Sequence, residues 1–193
     1  MLAVGIAGGK IRAITTQKLQ GKTTIDATGL IVAPGFIDLH AHGQDEENNH
    51  YQVMDGVTTA LELEVGTADI DQWYAAREGK APINFGASVG HVPVRMAVMH
   101  DPGKFLPSGD AAHRPATEEE ITECKRRIEQ GLKRGALAVG FGIQYTPQAS
   151  RWEILEMFRV AARSGAGCHV HMRNAGEREP ANSIQALEEV IAA

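Results

Sequence analysis

Two histidines one residue apart, closing the apolar run Pro34-Gly35-Phe36-Ile37-Asp38-Leu39-His40-Ala41-His42-Gly43, constrain this chain more than any other feature. Side chains in a strand alternate faces, so His40 and His42 share one face with Asp38 behind them, while Leu39 and Ala41 face the other way. Two neutral imidazoles on one face suit zinc or a similar divalent ion. Asp38 is placed either to orient an imidazole or to serve as a polar residue of the sheet interior.

After this strand, short apolar runs alternate with helical patterns, the βαβ rhythm of a parallel sheet. The remaining strands are expected at Val57 to Glu64, Ile83 to Val89, Ala136 to Gly142 and Gly167 to His171. A short helix is expected over His50 to Asp55, and Asp69 caps another through Ala76. Thr117 with Glu120 forms a capping box for a helix to about Arg134, with Ile121, Cys124, Ile128 and Leu132 on one face. In the next helix Trp152, Leu155, Phe158 and Ala162 form the expected core stripe, and Asn182 or Ser183 starts a last one. Gly90 to Pro115, rich in Gly, Pro, His and Asp, reads as a long functional loop, a candidate lid. Residues 1–33 read as a separate small β element, with strands at Ala3 to Ala7 and Ile11 to Ile14 joined by Gly8-Gly9, and a further run at Thr24 to Asp26.

The net charge of −5 argues against nucleic-acid and anionic-membrane partners. Leu2 to Ala7 is too short for a membrane span and lacks the basic start of a signal peptide, so a cytoplasmic protein is expected. Cys124 and Cys168 form no CxxC pair and are expected as small hydrophobes. His50, His100 and His113 are expected to be ordinary loop or surface histidines.

The stretch Val32 to His42 resembles the first-strand signature of the amidohydrolase superfamily, metal-dependent hydrolases built on a (β/α)8 barrel. Gly142-Ile143-Gln144-Tyr145-Thr146-Pro147 resembles the GLxYxP segment of its D-aminoacylase (N-acyl-D-amino-acid deacylase) branch. His171-Met172-Arg173 resembles that branch's HMR segment, and Gly90-His91-Val92-Pro93-Val94-Arg95 its GHxxxR segment. The resemblance implies an α/β fold in which residues 34–193 form about five βα units of a (β/α)8 barrel and residues 1–33 a remnant of a β-sandwich. A complete barrel typically needs about 250 residues, so at 193 residues an N-terminal fragment is expected.

Active sites of such barrels lie at the C-terminal ends of the strands, where His40, His42, Glu64, His91 and His171 fall. The resemblance makes His40, His42, Glu64 and His171 the metal ligands, for one or two divalent ions, zinc first. Relatives carry a metal-bridging cysteine where this chain has Val65, which cannot ligate. Glu64, one residue earlier, is the expected replacement, with Glu62 as its rival; His169 is the rival of His171 by strand parity. His91, Arg95, Tyr145 and Arg173 are the expected substrate contacts. A guanidinium suits the free carboxylate of an N-acyl amino acid, and either arginine can instead staple a loop.

No lysine occurs on the fourth barrel strand, which argues against the carbamylated-lysine bridge of urease-like relatives. The family's strand-six histidine and its strand-eight proton-shuttling aspartate have no counterpart here, so no catalytic residue is assigned in the chain and it is expected to be inactive alone. The implied activity is hydrolysis of a small-molecule N-acyl amino acid or related amide. Two alternatives stand beside it: a cyclic amidase of hydantoinase or dihydroorotase type, and a non-catalytic metal-binding module. An open barrel edge would also favour self-association.

Overall fold

The computed structural model describes residues 2–193, which divide at Pro34/Gly35 into two units. In the smaller unit β1 (Ala3–Ala7) and β2 (Lys10–Thr15) pair antiparallel. Gly8 and Gly9 between them have φ of 59° and 69°, the left-handed pair that a two-residue hairpin turn matching strand twist requires. The expected extended run at Thr24 to Asp26 joins no sheet. Asp26 accepts the backbone N–H of Thr28 instead, a local turn that competes with strand pairing.

The larger unit is built on five parallel strands in sequential order: β3 (Phe36–Asp38), β4 (Val57–Thr67), β5 (Asn84–Gly90), β6 (Ala138–Gly142) and β7 (Gly167–His171). Between them lie α1 (Glu46–Met54), α2 (Ile70–Ala75), α3 (His91–Val98), α4 (Asp110–His113), α5 (Glu118–Lys133) and α6 (Arg151–Arg163), and α7 (Ser183–Ala192) follows β7. Sequential parallel order with helical crossovers is the arrangement of a (β/α)8 barrel, of which five strands are present. β6 is buried along its whole length, as expected of a strand covered on both faces. None of the described helices is long and apolar enough to cross a membrane.

The main core lies between the strands and the helices α3, α5 and α6. α5 starts with the expected capping box, and Ile121, Cys124 and Ile128 enter this core. Both cysteines are free, and burial pushes the thiol of Cys124 up to about 12.

Three expectations are corrected. The helix expected at His50 begins at Glu46, because the Asp45 carboxylate accepts the N–H of Asn48 and caps it four residues early. The expected loop from Gly90 to Pro115 is half helical. α3 follows β5 without a break, and Pro93 is tolerated because it lies in the first turn, whose N–H groups have no intrahelical partner. The expected stripe on α6 is rotated: Trp152 is 47% exposed and Ala162 is also exposed, whereas Ile154, Met157, Val160 and Ala161 enter the core; of the expected four, Phe158 packs against it. Both faces are apolar enough for either choice. Glu153 settles it, being drawn to zero exposure by partners on α3 and carrying the adjacent Ile154 inward.

This rotation predicts that Ile154→Ala lowers unfolding free energy by about 2–5 kcal/mol, the cost of a large-to-small change in a filled core. Trp152→Ala is expected to cost under about 1 kcal/mol, and urea titration of the two variants measures the contrast.

Candidate metal centre

At the C-terminal ends of β3, β4 and β7 the carboxylate of Glu64 faces three imidazoles. Its Oε2 lies 3.1 Å from His42 Nε2 and 3.6 Å from His40 Nε2, and its Oε1 lies 3.2 Å from His171 Nδ1. Possible ligand atoms of His40, His42 and Glu64 all fall within 4.8 Å of one another. Glu64 is 4% exposed, while the imidazoles are open to solvent on one side.

On His42 and His171 the other ring nitrogen is already engaged, which decides what those rings turn toward Glu64. His42 Nδ1 lies 2.9 and 3.0 Å from the two carboxylate oxygens of Glu62, so it donates there and leaves the Nε2 lone pair toward Glu64. His171 Nε2 lies 2.8 Å from the Gln144 amide oxygen, so it donates there and turns the Nδ1 lone pair toward Glu64 and the Tyr145 hydroxyl. Glu64 Oε1 is buried and has no hydrogen-bond partner among the described residues. With neutral rings, lone pairs on nitrogen therefore face a carboxylate at short range. A cation is the group that turns that repulsion into coordination, and an imidazole–carboxylate donor set suits a divalent metal.

Backbone geometry delivers Glu64 to this point. The β4–β5 ladder steps from Glu62–Ala87 to Thr67–Val89, so β4 advances five residues while β5 advances two. The surplus forms a bulge over Leu63 to Gly66, a device that re-aims side chains beside sites. Gly66 has φ of 66°, which glycine adopts without strain. Two further glycines make room for the bulge. A Cβ on Gly90 would collide with the carbonyl oxygen of Val65, and one on Gly140 with those of Leu63 and Glu64.

The structure does not bring every expected site residue here. Asp38 does not touch an imidazole; it accepts the backbone N–H of His40 at 2.9 Å, and Glu62 holds the ring of His42 instead. His169 makes no ion pair with Glu64 or Glu62, whereas His171 does reach Glu64. Tyr145 stands beside His171 at 3.3 Å; burial first, and the charge of Glu64 second, push its phenol above the usual range, so it stays protonated at neutral pH.

His91 and Arg95 are turned away from the cleft. Both are fully buried, with His91 Nε2 2.8 Å from Glu153 Oε1 and Arg95 Nη1 2.5 and 2.6 Å from the two oxygens of Glu153. The same guanidinium donates to the carbonyls of Ala111 and Arg114 and has no exposed surface, which keeps it from a substrate. Burial alone would raise the Glu153 carboxyl; the hydrogen bonds and charges of His91 and Arg95 outweigh it and hold the group below the usual carboxylate range. Arg173 is likewise committed, to Glu189 at 2.6 and 2.8 Å and to the carbonyls of Pro147 and Ala149. Sequence reading missed Glu153 because the apolar stripe was placed on its neighbours.

The Amidohydrolase family profile matches residues 31–191. The N-acyl-D-glutamate deacylase of Alcaligenes xylosoxydans xylosoxydans is 31% identical over 98% of this chain and 42% of its own length. A solved D-aminoacylase, studied for the functional role of its binuclear metal centre, superposes with a TM-score of 0.76 at 27% identity, covering all of this chain and 44% of that one. The N-acyl-D-glutamate deacylase of Bordetella bronchiseptica, solved with zinc and a phosphonate inhibitor, gives 0.74 at 26% identity over 99% of this chain and 44% of that one. The chain thus spans less than half the length of the curated relatives it matches.

Gly140→Ala is expected to lose about 1–3 kcal/mol through overpacking against the bulge, measured by urea unfolding, and to displace Glu64. Glu153 makes the fold acid-sensitive. Its lowered carboxyl contributes fully above the ordinary carboxylate range, and that contribution disappears as pH falls through the depressed folded-state value. Glu153→Gln is therefore expected to lose about 3–5 kcal/mol at pH 7 and to flatten the acid limb of a stability–pH curve.

Proposed function

Since the chain belongs to the amidohydrolase family, we propose that it carries the metal-holding part of a site that hydrolyses the carbon–nitrogen bond of an N-acyl amino acid, with N-acyl-D-amino acids as the substrate class. The observation that carries this reading is the Glu64 carboxylate, buried and short of partners, facing His40, His42 and His171. His40, His42 and Glu64 would hold one ion, and Glu64 with His171 a second, with Glu64 serving in place of the cysteine that the resemblance leads one to expect. A divalent ion there, with zinc our first choice, supplies a Lewis acid for the acyl carbonyl and lowers the pKa of a bound water.

The chain's own residues set that arrangement. Glu62 fixes the tautomer and ring direction of His42, and Gln144 does the same for His171. Tyr145, protonated and beside His171, offers a hydroxyl to a substrate oxygen. His91, Arg95 and Arg173 hold the scaffold, and we assign them no contact with the substrate carboxylate. No residue of this chain is assigned the proton shuttle; the resemblance places that aspartate in the further length of the relatives. An open-chain amide is favoured over a cyclic one because β6, Ala-Val-Gly-Phe-Gly, offers no lysine to bridge metals and the deacylase match runs along 98% of the chain.

Metal content of the purified chain by plasma mass spectrometry tests the reading. Near-stoichiometric metal is expected, abolished by His40→Ala, His42→Ala or Glu64→Ala and reduced by His171→Ala. Glu62→Gln is expected to weaken metal binding roughly 10–100-fold without abolishing it. Metal at background in the unmodified chain would overturn the assignment.

A further inference from the structure

One exposed aromatic ring stands against the metal centre without belonging to it. Phe105 is 54% exposed, and its ring lies edge-on to His42 with centroids 6.0 Å apart. An apolar ring held in water gains nothing from solvent, whereas a partner laid on it removes that area from water.

The segment that carries Phe105 is built to hold it still. The Asp101 carboxylate accepts four backbone N–H groups, from Gly103, Ser108, Gly109 and Ala111, each at 2.9–3.0 Å. Arg95 ties the far end through the carbonyls of Ala111 and Arg114. At its two ends, Met96 and Met99 pack with Ala111 and Val92. His100 takes a left-handed φ of 54°, an uncommon conformation for a residue other than glycine, where the chain leaves α3.

From this placement we propose that Phe105 is a specificity-determining residue: its ring forms an apolar wall on which the acyl group of the amide substrate packs. The inference rests on the metal-site reading above. In the amide the acyl carbon is bonded directly to the carbonyl carbon, whereas the amino-acid Cα lies one atom further, beyond the amide nitrogen. With the carbonyl directed at an ion held by His42, the acyl group is the substituent assigned to the ring beside that imidazole. The substrate class that fits is therefore an N-acyl amino acid with a sizeable apolar acyl group, in preference to N-formyl or N-acetyl compounds.

Hydroxamates, which carry an acyl substituent on a metal-chelating head, test this on the Co(II)-loaded full chain, with binding read from the visible spectrum of the ion and from calorimetry. The unmodified chain is expected to bind octanohydroxamate more tightly than acetohydroxamate. Phe105→Ala is expected to weaken octanohydroxamate about tenfold, leaving acetohydroxamate affinity and metal content unchanged, and Phe105→Leu to restore most of the difference. Equal affinity of both hydroxamates in the unmodified chain, or equal losses of both in Phe105→Ala, would overturn the wall while leaving the metal centre standing. Failure of the unmodified chain to bind Co(II) would overturn the metal reading and the wall with it.

Discussion

A carboxylate taken out of water has to be matched by positive charge, and the larger unit is arranged around meeting that demand at Glu64. At 4% exposure Glu64 has lost its hydration, and its Oε1 gains no hydrogen bond in return. Three imidazoles surround it, but Glu62 and Gln144 hold the rings of His42 and His171 with bare nitrogens inward. In the site proposed above, a divalent cation would supply the compensation. Such a constellation would be preorganised for the proposed ion, since the rings would not have to turn to receive it.

Its position depends on backbone chemistry two strands away. Leu63 to Gly66 bulges out of the β4–β5 ladder, and the extra residues bring Glu64 to the histidines that follow β3 and end β7. The bulge fits because Gly90 and Gly140 present no side chains to it. A second buried carboxylate, Glu153, pulls α6 toward α3 through His91 and Arg95, and the same arginine anchors the segment bearing Phe105. Two buried acids thus divide the labour: one is completed inside the protein by an arginine, and the other is left facing lone pairs.

Much of the fold was legible because local rules agreed with one another. Thr117 and Glu120 announced α5, Asp69 announced α2, and the apolar runs of β4, β6 and β7 were long enough to read. Misreadings fell where local rules were indifferent. On α6, Trp152 and Leu155 made as good a stripe as Ile154 and Met157, and the choice belonged to Glu153, whose partners lie about sixty residues away in sequence. Gly90 to Pro115 looked like a loop by composition, yet the first turn of a helix accepts Pro93 and the apolar residues that follow find a core.

Sequence alone determined that His40 and His42 arrive together just past the end of β3, because two residues of spacing keep them at one strand end; the strand itself stops at Asp38, so their convergence on Glu64 belongs to the chain that follows it. Sequence also showed that Val65 cannot ligate and that an acid, Glu64, stands one residue before it on β4. Tertiary structure decided which neighbours those residues meet. Asp38, two residues from His40, turns to the backbone, while Glu62, twenty residues from His42, holds its ring. It also withdrew His91 and Arg95 from the cleft, burying them on Glu153. The physical reason is that periodicity fixes only the side of a strand or helix a residue occupies. Which buried charge it must neutralise depends on contacts closed across the whole sheet, and those contacts outweigh local preference once water is excluded.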